Sequence, residues 1–149
     1  MIPAMSDFDL DAFLPYQVNV LAARMSREFA ERYRARFGIS VAEWRVVAHL
    51  SQTGPVSVRE IHARVDMDKS KVSRAAQRLE AAGYLRKRPH PGDRRLVELS
   101  LTPKGQAMMA ELTEIAKAYQ TDLAARLDGE KPAFQAAIQR LLDRDGAEN

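Results

Sequence analysis

Residues 69–95 hold Lys69, Lys71, Arg74, Arg78, Arg86, Lys87, Arg88, Arg94 and Arg95 against only Glu80 and Asp93, a local net charge of +7 in a 149-residue chain whose total is +3. The remainder is net acidic, so the location of the charge carries the signal and its total does not. A basic excess of this density suits neutralisation of backbone phosphates and release of their counterions. Read at 3.6 residues per turn, Lys71, Arg74 and Arg78 fall at i, i+3 and i+7 and form one stripe, opposite Val72, Ala76 and Leu79. Ser70, Ser73 and Gln77 share or border the basic side. Short polar residues with arginine and glutamine are the side chains suited to base edges in a major groove, so this segment reads as a recognition helix for duplex DNA. A solvated face that happens to be basic would show the same stripe. The capped short helix before it and the basic hairpin after it favour nucleic acid.

The hairpin supplies the second constellation. Two short strands, 84–88 and 96–101, flank the turn-rich connector Pro89-His-Pro-Gly-Asp-Arg-Arg95, with Val97, Leu99 and Leu101 alternating with Glu98 and Ser100. This is a β-hairpin wing with Asp93-Arg94-Arg95 at its tip, where an arginine can enter the narrow, strongly negative minor groove. Asp93 is expected to orient an arginine by an ion pair. An ordinary polar turn with a surface ion pair is the plainer reading of the same three residues.

Helices must position both features. In residues 15–37, Val18, Leu21, Met25, Phe29 and Tyr33 recur at steps of three and four among charged residues, an amphipathic helix ended by Gly38. Ser40-Val-Ala-Glu43 is a capping box opening a second helix through Trp44, Val47 and Leu50. A second box, Ser57-Val-Arg-Glu60, opens a short third helix with Ile61 and Val65, and Asp66-Met-Asp68 turns into the recognition helix, with Asp68 or Ser70 as its N-cap. Gly83 ends that helix. Thr102 and Pro103 start a long fifth helix through Met108, Leu112, Ile115, Tyr119, Leu123 and Leu127, and Pro132 starts a last one with Phe134, Ile138 and Leu141. The fold class is mainly α with a small β-hairpin wing: a winged helix-turn-helix plus a helical dimerisation region. The organisation expected is a dimerisation helix in 1–37, the DNA-binding domain in 38–101 and dimerisation helices in 102–149, in one compact fold.

Several function classes fall away. With no cysteine, disulfides, thiolate metal sites and thiol redox sensing are excluded. His49, His62 and His90 are isolated, with no His-Glu-x-x-His, phosphate loop or serine elbow, so no catalytic constellation can be named and neither a metal site nor a cofactor is expected. No apolar run approaches a membrane span and no leader pattern opens the chain, so a cytoplasmic protein without membrane contact is expected. A winged helix that binds protein instead of DNA is the alternative. It calls for large apolar residues on the exposed face of the recognition helix, where this sequence has basic and small ones.

Four segments resemble the MarR family of winged helix-turn-helix regulators: Phe37-Gly-Ile-Ser-Val-Ala-Glu-Trp-Arg45, Met67-Asp-Lys-Ser-Lys-Val-Ser-Arg74, Leu79-Glu-Ala-Ala-Gly-Tyr-Leu85, and the wing Gly92-Asp-Arg-Arg-Leu-Val-Glu-Leu-Ser-Leu-Thr-Pro-Lys-Gly105. The similarity in element order covers nearly the whole chain. It implies that Asp93 and Arg95 are the aspartate and minor-groove arginine of the wing motif, with Arg94 left for phosphate. It further implies a homodimer paired through the first, fifth and last helices, and a transcriptional regulator, most simply a repressor, acting on a palindromic operator. Family members commonly sense aromatic acids or related phenolic compounds between the dimer helices and the DNA-binding part. Arg24, Tyr33, Trp44, Arg45 and His49 are the candidates to line such a cleft here, because aromatic faces with a cation suit an aromatic carboxylate. Trp44 is equally readable as core, and a DNA-binding dimer without an effector stays open.

Overall fold

A computed structural model describes residues 7–93 and 95–143, and divides the chain into two compact units, one up to Glu111 and one from Leu112 onward. Arg94 lies outside the described residues. The element order is a 3₁₀ turn (Leu10–Ala12), α1 (Leu14–Phe37), α2 (Val41–Thr53), β1 (Val56–Ser57), α3 (Val58–Val65), α4 (Lys69–Ala81), β2 (Leu85–Pro89), β3 (Val97–Leu101), α5 (Pro103–Leu127) and α6 (Lys131–Leu142).

Local chemistry explains most of these boundaries. Gly38 closes α1 in the left-handed conformation at φ 67°, donating its N–H to the Arg34 carbonyl. Ser40 and Glu43 form the reciprocal capping box of α2, with the Ser40 hydroxyl also donating to the Glu43 carboxylate. At α3 the Ser57 hydroxyl accepts from the Glu60 N–H and faces the Glu60 carboxylate. The turn into α4 places Asp66 in the left-handed region at φ 54°, a conformation that aspartate tolerates better than most residues. His62 Nδ1 lies 2.6 Å from the Met67 carbonyl across that turn. Asp68 holds the N-cap position of α4 without a side-chain capping bond.

The core of the first unit is built from these elements. Val46, Val47 and Leu50 of α2, Ile61 of α3, Val72, Ala75, Ala76 and Leu79 of α4, and Leu85 and Leu99 of the sheet are buried, together with Ala30 and Tyr33 of α1. Burying the larger of these side chains contributes about 1.5–3 kcal/mol each. The wing is more than a hairpin. The strands run in the order β1-β3-β2, both pairings antiparallel, with Val56 opposite Leu99 on one side and Leu85 opposite Leu101 on the other. The two-residue β1 therefore anchors the base of the wing to the start of α3. Arg36 near the end of α1 grips Glu111 of α5 through Nε at 3.1 Å and a terminal nitrogen at 2.5 Å, holding the Glu111 carboxyl below its usual range.

In the second unit, α5 ends at Leu127 and α6 begins at Lys131, across a turn in which Asp128 and Gly129 both take positive φ. Pro132 sits in the first turn of α6, where its missing N–H costs nothing. Among the described residues, no helix is long and apolar enough to cross a membrane.

Candidate nucleic-acid interface

The recognition segment folds as its spacing requires. Val72 and Ala76 are fully buried and Leu79 nearly so, while Lys69, Ser70, Lys71, Arg74, Gln77 and Arg78 are exposed and Ser73 is half-buried at the border. No ion pair or side-chain hydrogen bond engages Lys71, Arg74 or Arg78 among the described residues, so these cations face solvent uncommitted. Exposed cations without a carboxylate partner are the form that neutralises phosphates and releases their counterions.

The wing tip is pre-set. Arg95 donates to Asp93 through Nε at 3.1 Å and a terminal nitrogen at 3.2 Å, and its backbone N–H reaches Asp93 Oδ1 at 3.0 Å. Arg95 holds the Asp93 carboxyl below its ordinary range through these bonds, and His90 and Arg59 add to the effect. The guanidinium is nonetheless 90% exposed, so the pair orients the side chain without hiding it. On the inner side of the tip, Asp93, Arg95, Leu96 and Val97 share a cleft of about 440 Å³ with Ser57, Val58 and Arg59 at the start of α3 and with Lys69 and Ser73 of α4. Three elements thus bring Lys69, Ser73, Asp93 and Arg95 together. Arg59 joins them and was absent from the sequence-based set. Its signal was available: a cation in the first turn of a helix opposes the macrodipole and needs another reason to be there.

The strand cations behave differently. Arg86 and Arg88 project from one face of β2 and are exposed, whereas Lys87 points the other way, half-buried, with Nζ 3.6 Å from Glu80 of α4. Arg88 lies 3.7 Å from Glu98, its directly opposite neighbour on β3. None of the three lines the cleft between wing and helices.

The residues expected to line an effector cleft are divided by the fold. Tyr33 and Trp44 do come together, with ring centroids 6.1 Å apart, and Phe29 completes the cluster at 5.0 Å from Tyr33 and 4.9 Å from Trp44, both edge-on. Tyr33 is fully buried and its hydroxyl finds no hydrogen-bond partner among the described residues; burial raises its pKa. Arg45 is exposed but close enough to act electrostatically on Tyr33. His49 belongs elsewhere: five residues beyond Trp44 is about 140° round a helix, and its half-buried ring answers to Arg64 and Glu60 of α3. Burial lowers the His49 pKa, favouring the neutral ring. Arg24 is exposed, nine residues before Tyr33 on α1.

This geometry coincides with a family pattern. The MarR family's sequence model matches residues 37–96, the stretch from the end of α1 to the wing. Over 105 residues the chain is 32% identical to the HTH-type transcriptional repressor MdtR of Bacillus subtilis strain 168, covering 70% of this chain and 68% of that protein. The chain belongs to the MarR family. A solved MarR/EmrR family transcriptional regulator from Acinetobacter sp. ADP1 superposes with a TM-score of 0.80 at 25% identity, covering 95% of this chain and all of that one. Bordetella bronchiseptica BpsR, solved in a study of how 6-hydroxynicotinic acid regulates its DNA binding, superposes at 0.78 with 23% identity, covering 95% of this chain and 98% of its own. As a MarR-family member the chain is a DNA-binding transcriptional regulator and not an enzyme. Its α3, α4 and β2-β3 segments form the winged helix-turn-helix.

Proposed function

We propose that this MarR-family regulator is a repressor that binds a palindromic operator as a homodimer, reading bases with α4 and the minor groove with Arg95. The observation that carries this reading is the uncommitted basic face of α4, with Lys71, Arg74 and Arg78 unpaired among the described residues beside an Arg95 already oriented by Asp93. Lys69, Ser70, Ser73 and Gln77 complete the face, Arg86 serves phosphate, and Arg59 with Lys69 offers a phosphate seat in the cleft behind the wing tip. Large apolar side chains are absent from the exposed face of α4 among the described residues, which disfavours a protein partner there.

Unpartnered apolar surface supports the dimer. In the 3₁₀ turn and the first half of α1, Leu10, Leu14 and Val18 are exposed, Leu14 at 64%. On α6, Leu141 and Leu142 are exposed at 71% and 68%. Patches of this kind mark association surfaces, and a second copy of the chain is the partner proposed for each. The segments 1–37 and 102–149 then pair the protomers while 38–101 contacts DNA. Two-fold symmetry requires two half-sites about one helical turn apart.

An aromatic or phenolic acid is the effector class that fits the cluster of Phe29, Tyr33 and Trp44. The buried Tyr33 hydroxyl lacks a partner among the described residues, which costs about 1–3 kcal/mol and offers a bond to an incoming polar group. Arg45 supplies the cation for a carboxylate. The same class is represented by the 6-hydroxynicotinic acid of the BpsR study. Selecting bound duplexes from a random-sequence pool and weighing the free protein by light scattering test the proposal together. An inverted repeat and a mass twice the 16.7 kDa of one chain are expected. A monomer, or a pool without an enriched motif, overturns it. Released operator on adding 6-hydroxynicotinic acid, lost in Tyr33→Phe, tests the effector separately.

A further inference from the structure

The carbonyls of Ala82, Gly83 and Tyr84 follow directly on the last residue of α4, and each is taken by a donor from the start of α5. Lys104 Nζ donates to the Ala82 carbonyl at 2.7 Å, the Thr102 hydroxyl to the Gly83 carbonyl at 2.6 Å, and the Thr102 backbone N–H to the Tyr84 carbonyl at 3.1 Å. The Thr102 hydroxyl also accepts from the Gly105 N–H at 3.1 Å, so it caps α5 and ties down the end of α4 with one group. The Lys104 ammonium lies 4.6 Å from the centroid of the Tyr84 ring. At Gly105 the helix passes so close that an added Cβ would stand 2.0 Å from the Tyr84 carbonyl oxygen. Only glycine permits that approach.

Three bonds to three successive carbonyls fix an angle as well as a position. The same end of α4 is also closed by its own backbone, with the Tyr84 N–H on the Leu79 carbonyl at 2.9 Å and the Ala82 N–H on Arg78 at 3.0 Å. Besides the packing of α4 on α2 and α3, the contacts of Thr102 and Lys104 tie this end of α4 to the first turn of α5. Lys104 is exposed, so its bond contributes little to global stability; geometry is what it supplies. Base readout tolerates errors of only about 0.5 Å or 10–20°.

We infer that Thr102, Lys104 and Gly105 form a joint that sets the pitch of α4, and that Lys104 is a positioning residue for DNA recognition that acts through α4 without touching DNA. This rests on α4 being the recognition helix, as proposed above. An ammonium engaged with a carbonyl and a ring face is committed within the protein, unlike Lys71 on α4.

The test starts from the duplex that the wild-type protein selects out of a random-sequence pool. Lys104→Met keeps the stem and removes the charge and the donor; Lys104→Arg restores both. Affinity is measured for the selected duplex and for a scrambled one across a salt series, and the selection is repeated with Lys104→Met. The expected result is a loss of about tenfold on the selected duplex, with scrambled-duplex affinity and salt slope unchanged and Lys104→Arg close to wild type. The repeated selection returns the same half-site bases at a broadened or altered spacing. Equal loss on both duplexes, with a salt slope smaller by about one, makes Lys104 a phosphate contact and overturns the inference. Unchanged affinity and spacing overturn it as well. Should Lys104→Met lose cooperative melting, Lys104→Ala, which also removes the donor and the charge and suits an exposed helix position, is read by the same criteria. A wild-type protein that selects no sequence refutes the recognition role of α4 itself, a result distinct from either.

Discussion

Lys71, Arg74 and Arg78 on α4 and Arg86, Lys87 and Arg88 on β2 are the same residue types in one short stretch of chain, yet the fold leaves the first three free and binds two of the second three. On α4 the helical period collects the cations on a single face because Val72, Ala76 and Leu79 take the opposite one, and Lys71, Arg74 and Arg78 form no ion pair among the described residues. On β2 the period of two sends Lys87 to the side of the buried Leu85, against Glu80, and the pairing register sets Arg88 opposite Glu98. A paired cation must give up its carboxylate to gain a phosphate, so its net contribution to DNA binding shrinks. Local charge density therefore overstates the interface; what counts is which cations are unpaired and share a face.

Arg74→Ala is the change that should most sharply test the free class. A cost of about 1–3 kcal/mol is expected at the selected operator and a smaller one on scrambled DNA, measured by titration of labelled duplexes. Equal losses on both would reduce Arg74 to a phosphate contact. Next in size, Arg95→Ala should weaken operator binding by about 1–2 kcal/mol while stability changes by no more than about 0.5 kcal/mol, because the guanidinium is exposed. A large fall in melting temperature would instead make the residue structural. Asp93→Asn keeps the size of the side chain and removes its charge. It should cost less than Arg95→Ala, since Arg95 remains present but loses the partner that orients it.

The free class was legible in the sequence because it depends on period alone. The α4 stripe, the Ser40 and Glu43 capping box, the glycine at the end of α1 and the Asp93 and Arg95 pair all follow from spacings of four residues or fewer along the chain. What the sequence concealed depends on register or on distant segments. The strand β1 is two residues long and gains its partner from β3, some forty positions later, so no alternation could announce it. The pairing of Arg88 with Glu98 follows from hairpin register, and that of Lys87 with Glu80 from how the sheet meets α4. His49 and Trp44 both lie on α2 but point about 140° apart, one toward α3 and the other onto Phe29 and Tyr33 of α1, a separation that only the partner helices make visible. Arg59 reached the wing cleft only through tertiary structure, although a cation in the first turn of α3 was a local sign that helix stability had not chosen it.

The paired class gives the smallest expected effect and the sharpest check on the comparison. Arg88→Ala should change DNA affinity by less than about 0.5 kcal/mol, because the cation it removes was already occupied by Glu98 at 3.7 Å. Glu98→Gln then runs the comparison backwards. It keeps the strand and the side-chain volume but withdraws the carboxylate, moving Arg88 into the free class at the edge of the wing. Scrambled-duplex binding should tighten slightly and its salt slope should rise by up to about one, since one more cation is able to release a counterion. That gain should vanish in the double variant with Arg88→Ala. If Arg88→Ala alone costs as much as Arg74→Ala, ion pairing does not sort the cations of this interface, and the distinction between helix and strand has no consequence for DNA binding.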